Sequence, residues 1–204
     1  MRDMIPGNER RGRERPVRAM DKESSERKAT AHDRVLDAAR TLLAEHGVSG
    51  TSLQMIADHL GVTKAAVYHQ FHTKDEIVLA LLQKPLEEML GVLAETEAED
   101  TREAQLDVLL KGLVNIVLEN PEAVSLIQAD PEVGRLLHTR QIYREIAARV
   151  DRVMAGPHRT SASRIASALF GAGLLVIGHN ALIGDIDPEI MRSELPRLGR
   201  RILL

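Results

Sequence analysis

The chain has no cysteine and no tryptophan, and only two tyrosines and two phenylalanines among 204 residues. Without cysteine there is neither a disulfide framework nor a thiolate metal site. Aromatics make up 2% of the residues while Ala, Leu, Glu and Arg abound, a composition that suits helices far better than sheets. The chain opens without an apolar h-region, so no signal peptide is read and a cytoplasmic location is expected. Catalytic groupings are also missing. Gly171-Ala172-Gly173 follows no strand and lacks a third glycine at the right place for a dinucleotide fingerprint. His69 and His72 are three apart, but His72 falls past a helix end and no carboxylate joins them at ligand spacing. His179 reads as a hydrogen-bonded interior histidine. No Ser, His and acid grouping stands out, so no enzyme, no cofactor and no metal site is expected.

Charge is small overall and uneven along the chain. The formal net charge is −3, yet residues 1–28 hold nine Arg or Lys against six acids, a balance of +3 that leaves −6 for the rest. That opening segment has almost no large apolar side chains and cannot offset its ordering entropy, which predicts disorder. Its arginines (Arg10, Arg11, Arg13, Arg15, Arg18) read either as an arm for phosphates and the minor groove or as a solvated tail.

What is present is helical periodicity. Thr30 and Asp33 resemble a capping box, and Val35, Leu36, Ala39, Leu42 and Leu43 form a stripe closed by Gly47. In Thr51–Phe71, Leu53, Ile56, Ala57 and Leu60 make one apolar face, Thr51 with Gln54 reads as the cap, and Gly61 supplies a left-handed stop. Val62 fills the turn, Thr63 caps a second helix, and Val67 and Phe71 are its buried side, while Tyr68 points off the core. Two short helices joined by a tight Gly turn predict a helix-turn-helix that presents its second helix to the major groove. The same pattern also fits two packed helices that never touch DNA, and residues 29–74 are not basic, since Arg34, Arg40, Lys64 and Lys74 are offset by Asp33, Asp37, Glu45 and Asp58.

Thr73-Lys-Asp-Glu76 is a further capping box, and Pro85 interrupts the helix it opens. An acidic linker, Glu95 to Asp100, precedes a helix from Asp100 to Asn120 with Leu106, Leu109, Leu110, Leu113 and Val117 on one face. A short helix runs to Asp130, and Pro131 opens a longer one carrying Val133, Leu136, Leu137, Tyr143, Ile146, Ala147, Val150 and Met154 inward. Arg135, Arg144, Arg149 and Arg152 read as solvated. Ile165–Gly184 is twenty residues without a formal charge, long enough to cross a bilayer. Ser167, His179, Asn180 and four glycines weaken that reading, and the preferred one is a helix buried against a partner subunit, approached closely at Ala166, Ala172 and Gly173. The last helix begins at Asp187-Pro188 with Met191, Leu195, Leu198 and Ile202 as its stripe, and Pro196 brings a kink or an early end.

The run G-V-S-G-T-S-L-Q-M-I-A, then L-G-V-T-K-A-A-V-Y-H-Q-F, then T-K-D-E-I, resembles the N-terminal domain of TetR-family transcriptional regulators over roughly residues 30–80. The resemblance implies an all-α protein: a three-helix helix-turn-helix domain (29–75) that binds a double-stranded DNA operator, then a helical domain (76–204) that takes a small-molecule effector and dimerises through residues 160–204. It implies repression relieved by ligand. By the same resemblance residues 52–71 are the DNA-reading unit, with Ser52, Gln54, Thr63, Lys64, Ala65, Ala66, Tyr68, His69 and Gln70 at DNA positions, and Lys74 matches the family's phosphate-binding lysine. The aliphatic stripes beyond Asp100 suggest a hydrophobic effector, against a fully packed core without a cavity. A helical protein-interaction module whose helix-turn-helix no longer binds DNA is the alternative from another class.

Overall fold

The computed structural model describes residues 30–177 and 184–204, and every regular element among them is an α-helix. In chain order these are α1 (Ala31–Gly50), α2 (Leu53–Leu60), α3 (Lys64–Gln70), α4 (Lys74–Leu81), α5 (Gln83–Glu97), α6 (Arg102–Glu119), α7 (Pro121–Ala129), α8 (Pro131–Thr139), α9 (Gln141–Ala155), α10 (Ser161–Ile177) and α11 (Pro188–Leu203). The segment 1–28, His179 and Asn180 lie outside the described residues.

The first core gathers α1 to α4. Val35, Ala39, Leu42 and Leu43 of α1 meet Ile56 and Ala57 of α2, Val67 of α3 and Ile77 and Val78 of α4. Val133 of α8 is buried in this same core, and Leu126, Leu136 and Leu137 pack against it. The second core lies between α5, α6, α9, α10 and α11, centred on Leu93, Leu106, Leu109, Leu110 and Val114.

The caps explain where the helices begin. Thr30 and Asp33 form the reciprocal box, with the Asp33 N–H donating to Thr30 Oγ1 at 3.1 Å and the Thr30 N–H to Asp33 Oδ2 at 3.0 Å. Gly47, at φ 70°, breaks α1 before its last residues, as expected of a position that favours glycine. Thr51 is not the cap of α2. It is 2% exposed, and its hydroxyl donates to the Leu42 and Gly47 carbonyls at 3.2 and 2.8 Å. Thr51 thus points its hydroxyl at α1, and the next residue, Ser52, takes the cap and accepts the Met55 N–H at 3.2 Å. Gly61 is left-handed at φ 66°, ψ 32° and ends α2. Thr73 caps α4 by accepting the Glu76 N–H, while the Glu76 carboxylate accepts from the His72 N–H rather than from Thr73.

Pro85 acts at a distance of one turn. Its ring excludes the carbonyl four residues back, that of Leu81, and α4 ends at Leu81 with the chain turning at Leu82 (φ −94°, ψ 0°).

Four expectations need correction. Glu95 to Asp100 is not all linker, because α5 runs to Glu97 and buries Thr96, whose hydroxyl donates to the Val92 carbonyl at 2.7 Å. The long helix expected after Pro131 is two helices meeting at extended Arg140 (φ −90°, ψ 125°). Arg144 holds that break, donating to the His138 and Thr139 carbonyls at 3.0 and 3.3 Å, and is therefore not simply solvated. Arg149 makes a two-pronged pair with Glu97 at 2.8 Å on each prong, and that hydrogen bond lowers the Glu97 carboxyl below its usual range. Finally, α11 is rotated from its expected stripe: Gly199 and Leu203 are buried, whereas Leu198 and Ile202 are exposed. Gly199 sets this rotation, since a Cβ there would stand 2.7 Å from the Phe170 ring and 2.9 Å from Leu110. Pro196 is carried inside α11 without ending it.

No helix among the described residues is long and apolar enough to cross a membrane. Helix α10 buries Ser167, Phe170 and Leu174 on one side. Its opposite side exposes Ile165 at 59%, Leu169 at 67% and Val176 at 51%, beside Ile190, Leu198 and Ile202 of α11.

Candidate nucleic-acid interface

Helix α3 is held by its inward residue and leaves the others outside. Val67 is fully buried and Phe71, at the C-cap, packs its ring 4.6 Å from His32 of α1. Thr63 caps the helix by accepting the Ala66 N–H at 3.3 Å. With Val67 fixed inward, 3.6-residue periodicity turns Lys64, Ala65, Tyr68 and His69 to solvent. These four, with His72, line one shallow concavity of about 620 Å³.

Within this concavity the side chains are free to meet a partner. Lys64 forms no ion pair among the described residues, and Ala65 offers only a methyl. Tyr68 is 51% exposed and meets the His72 ring edge-on at 4.8 Å. His72, weighed in the sequence only as a metal ligand, was not among the expected DNA positions. It sits beyond the helix, and the only signal for it was its spacing of three from His69 and four from Tyr68.

The other expected positions fall differently. Gln54 is exposed on α2 with its amide donating to Asp58 at 2.7 Å. Ala66 and Gln70 belong to α3 but do not line the concavity. Ser52 and Thr63 both use an oxygen lone pair for capping, which leaves each hydroxyl proton available to an acceptor such as a phosphate. Lys74 is turned inward, its ammonium donating to the Val48 carbonyl at 2.6 Å. A second group on that same residue escaped sequence reading: the Val48 N–H donates to the buried Asp130 carboxylate at 2.6 Å. Among the described residues no three His, Asp or Glu side chains come together in a metal-holding group.

A left-handed glycine turn between two short capped helices, with the second turned outward on a packed base of α1 and α4, defines a helix-turn-helix protein. The family profile described as "Bacterial regulatory proteins, tetR family" matches residues 35–81. The HTH-type transcriptional repressor AcnR of Corynebacterium glutamicum is 24% identical over 124 residues, 59% of this chain and 58% of that protein. KstR2, an HTH-type transcriptional repressor of Rhodococcus jostii, is 32% identical over 96 residues, 46% of this chain and 47% of that one. The chain thus spans 58% of the length of the first relative and 47% of the second. In fold it is similar to AibR, solved in complex with isovaleryl coenzyme A and operator DNA, with a TM-score of 0.59 at 18% identity over 83% of this chain and 97% of that one. Residues 35–81 thus match the helix-turn-helix domain of TetR-family regulators.

Proposed function

We propose that this protein is a homodimeric repressor in the cytoplasm, without catalytic activity, that binds a double-stranded operator through α2 and α3 and is released by a small hydrophobic effector. The observation that carries the DNA reading is the outward face of α3, where the Lys64 ammonium, without an ion pair among the described residues, stands exposed beside Tyr68 and His69. Lys64 lies in the first turn, from which an ammonium reaches guanine O6 and N7 or a flanking phosphate. Tyr68, Ser52 and Thr63 supply neutral hydroxyls for phosphates, which fix register without reading sequence. Gln54 reads adenine only if its amide exchanges Asp58 for a base edge. Lys74 reaches a phosphate with an N–H left over from Val48.

Dimerisation through α10 and α11 is supported by their exposed aliphatic side chains. Burying such a residue fully contributes about 1.5–3 kcal/mol, and a partner copy offering the same face is the simplest cover. The hydrophobic effector is supported by the aliphatic second core and by the fold shared with AibR, whose complex contains an acyl thioester and DNA together. Leu93, Leu106, Leu109, Leu110 and Val114 are all fully buried, so an effector has to part α5, α6 and α9 to enter.

Fluorescence anisotropy with labelled random-sequence duplex at low salt tests the DNA reading, because even a non-specific binder shows affinity there. Absence of binding under those conditions would sink it.

A further inference from the structure

The DNA-reading head and the helical bundle share more than the covalent turn at Leu82. Asp130 lies between α7 and α8 and is buried. One carboxylate oxygen caps α8, accepting the Glu132 N–H at 2.8 Å, and the other accepts the Val48 N–H at 2.6 Å across 82 residues of sequence. Val48 stands just after the Gly47 break and just before Thr51 and the Ser52 cap, so it leads directly into α2. Its backbone is held at both ends of the residue, with the N–H on Asp130 and the C=O on Lys74. Gly47 is part of the fit: a Cβ there would stand 3.2 Å from the Asp130 carboxylate, and its φ of +70° disfavours any side chain. Val133, one turn into α8, is buried in the core of the head rather than that of the bundle.

We propose that Asp130 is a positioning residue for DNA recognition, its buried carboxylate locking the α1–α2 turn to the start of α8 and so fixing the orientation of α3 relative to the bundle. A charged acceptor suits the place, because a carboxylate has lone pairs for several N–H donors at once and makes stronger bonds than a neutral oxygen. Burial tends to raise this carboxyl, but backbone N–H groups of Glu132, Val48 and Ser49, with Arg135 nearby, outweigh it and leave it below the usual aspartate range. Asp130 touches no DNA. It acts by keeping the two heads of a dimer at one separation, and in this the proposal rests on the operator-binding reading above.

Two substitutions separate the bridge from the helix cap. Asp130→Ser keeps a good cap for α8 but is too short to reach Val48. Asp130→Asn keeps one oxygen for the cap and sets an amide donor against the Val48 N–H. Hydrogen exchange on the full chain should show protection at Val48 falling by about tenfold or more in both, with Glu132 changed by less than about threefold. Operators recovered from a random duplex pool with wild-type protein then serve as probes, with their half-site spacing lengthened or shortened by one base pair. Wild type should lose about tenfold affinity or more on the altered spacings, and the variants much less. Affinity for random duplex at low salt should stay within about twofold of wild type, since no DNA-facing group is changed. Unchanged protection at Val48 overturns the bridge. Lost protection with unchanged spacing preference overturns the positioning role and leaves a purely structural tie. Failure of the wild type to bind any duplex overturns the operator reading and the positioning role with it, while the exchange result still reports on the bridge alone.

Discussion

At the scale of single residues, chemistry should divide the proposed DNA face into groups that read and groups that hold. Lys64 is the one formal cation of residues 52–71 and forms no ion pair among the described residues. Lys64→Ala should therefore cost about 1–3 kcal/mol on the selected operator and relax preference at one base pair per half-site. Competition binding against point-mutated operators measures this; equal loss on every sequence would reassign Lys64 to phosphate. Tyr68→Phe removes a hydroxyl and no charge. It should weaken all sites by similar factors and leave the salt slope as it was. The two neighbouring hydroxyls at the entry to α2 should separate as sharply. Ser52→Ala loses an exposed cap and should cost about 1 kcal/mol. Thr51→Val leaves two carbonyls of α1 without their shared donor in a 2% exposed site and should cost about 1–3 kcal/mol in a thermal or denaturant melt. No loss from Ser52→Ala would remove Ser52 as the cap, and no loss from Thr51→Val would remove the tie to α1.

At the scale of the element, the proposed dimer is tested on α10. Its exposed face is a row of Ile165, Leu169 and Val176, while Gly173 has nothing within 4 Å of where a Cβ would stand. The decisive substitution is therefore Leu169→Arg, which leaves the subunit's own core alone and sets a charge in the proposed contact. Sedimentation should show monomer at micromolar concentration where wild type is a dimer, and operator affinity should collapse because one subunit reads only half a site. Leu169→Arg protein that remains dimeric would move the interface elsewhere. Helix α11 is set by contacts its own sequence does not announce, with Gly199 under Phe170 and Arg200 paired to both oxygens of Asp107 at 2.7 and 2.6 Å.

At the scale of the molecule, the proposed Asp130 bridge should make the coupling of head and bundle dependent on pH. Its folded carboxyl lies below the usual value, so the ionised form is the one folding favours. Its contribution is then complete above the unfolded value of about 4 and lost as pH falls through the lower folded value. Asp130→Asn should be less stable than wild type by about 1–3 kcal/mol at neutral pH, and the gap should close on acidification below about pH 4. Parallel melts of the two proteins from pH 7 to pH 3 measure it. A gap that is constant with pH would mean that charge plays no part in the bridge.

By itself the sequence determined the helical class, the α1 capping box, the Gly61 stop, the Thr63 and Thr73 caps and the inward Val67 and Phe71. All of these depend on residues within about four positions of one another, where backbone geometry alone decides. The outward setting of Lys64, Ala65, Tyr68 and His69 follows from the same local period. Only the tertiary structure decided that Thr51 is claimed by α1, that the helix after Pro131 is cut at Arg140, and that α11 turns Gly199 inward and Leu198 outward. It alone joined Asp130 and Lys74 to the Val48 backbone, across 82 and 26 residues. The physical reason is common to all of these. Each local pattern admitted more than one arrangement, and packing against an element distant in sequence selected among them.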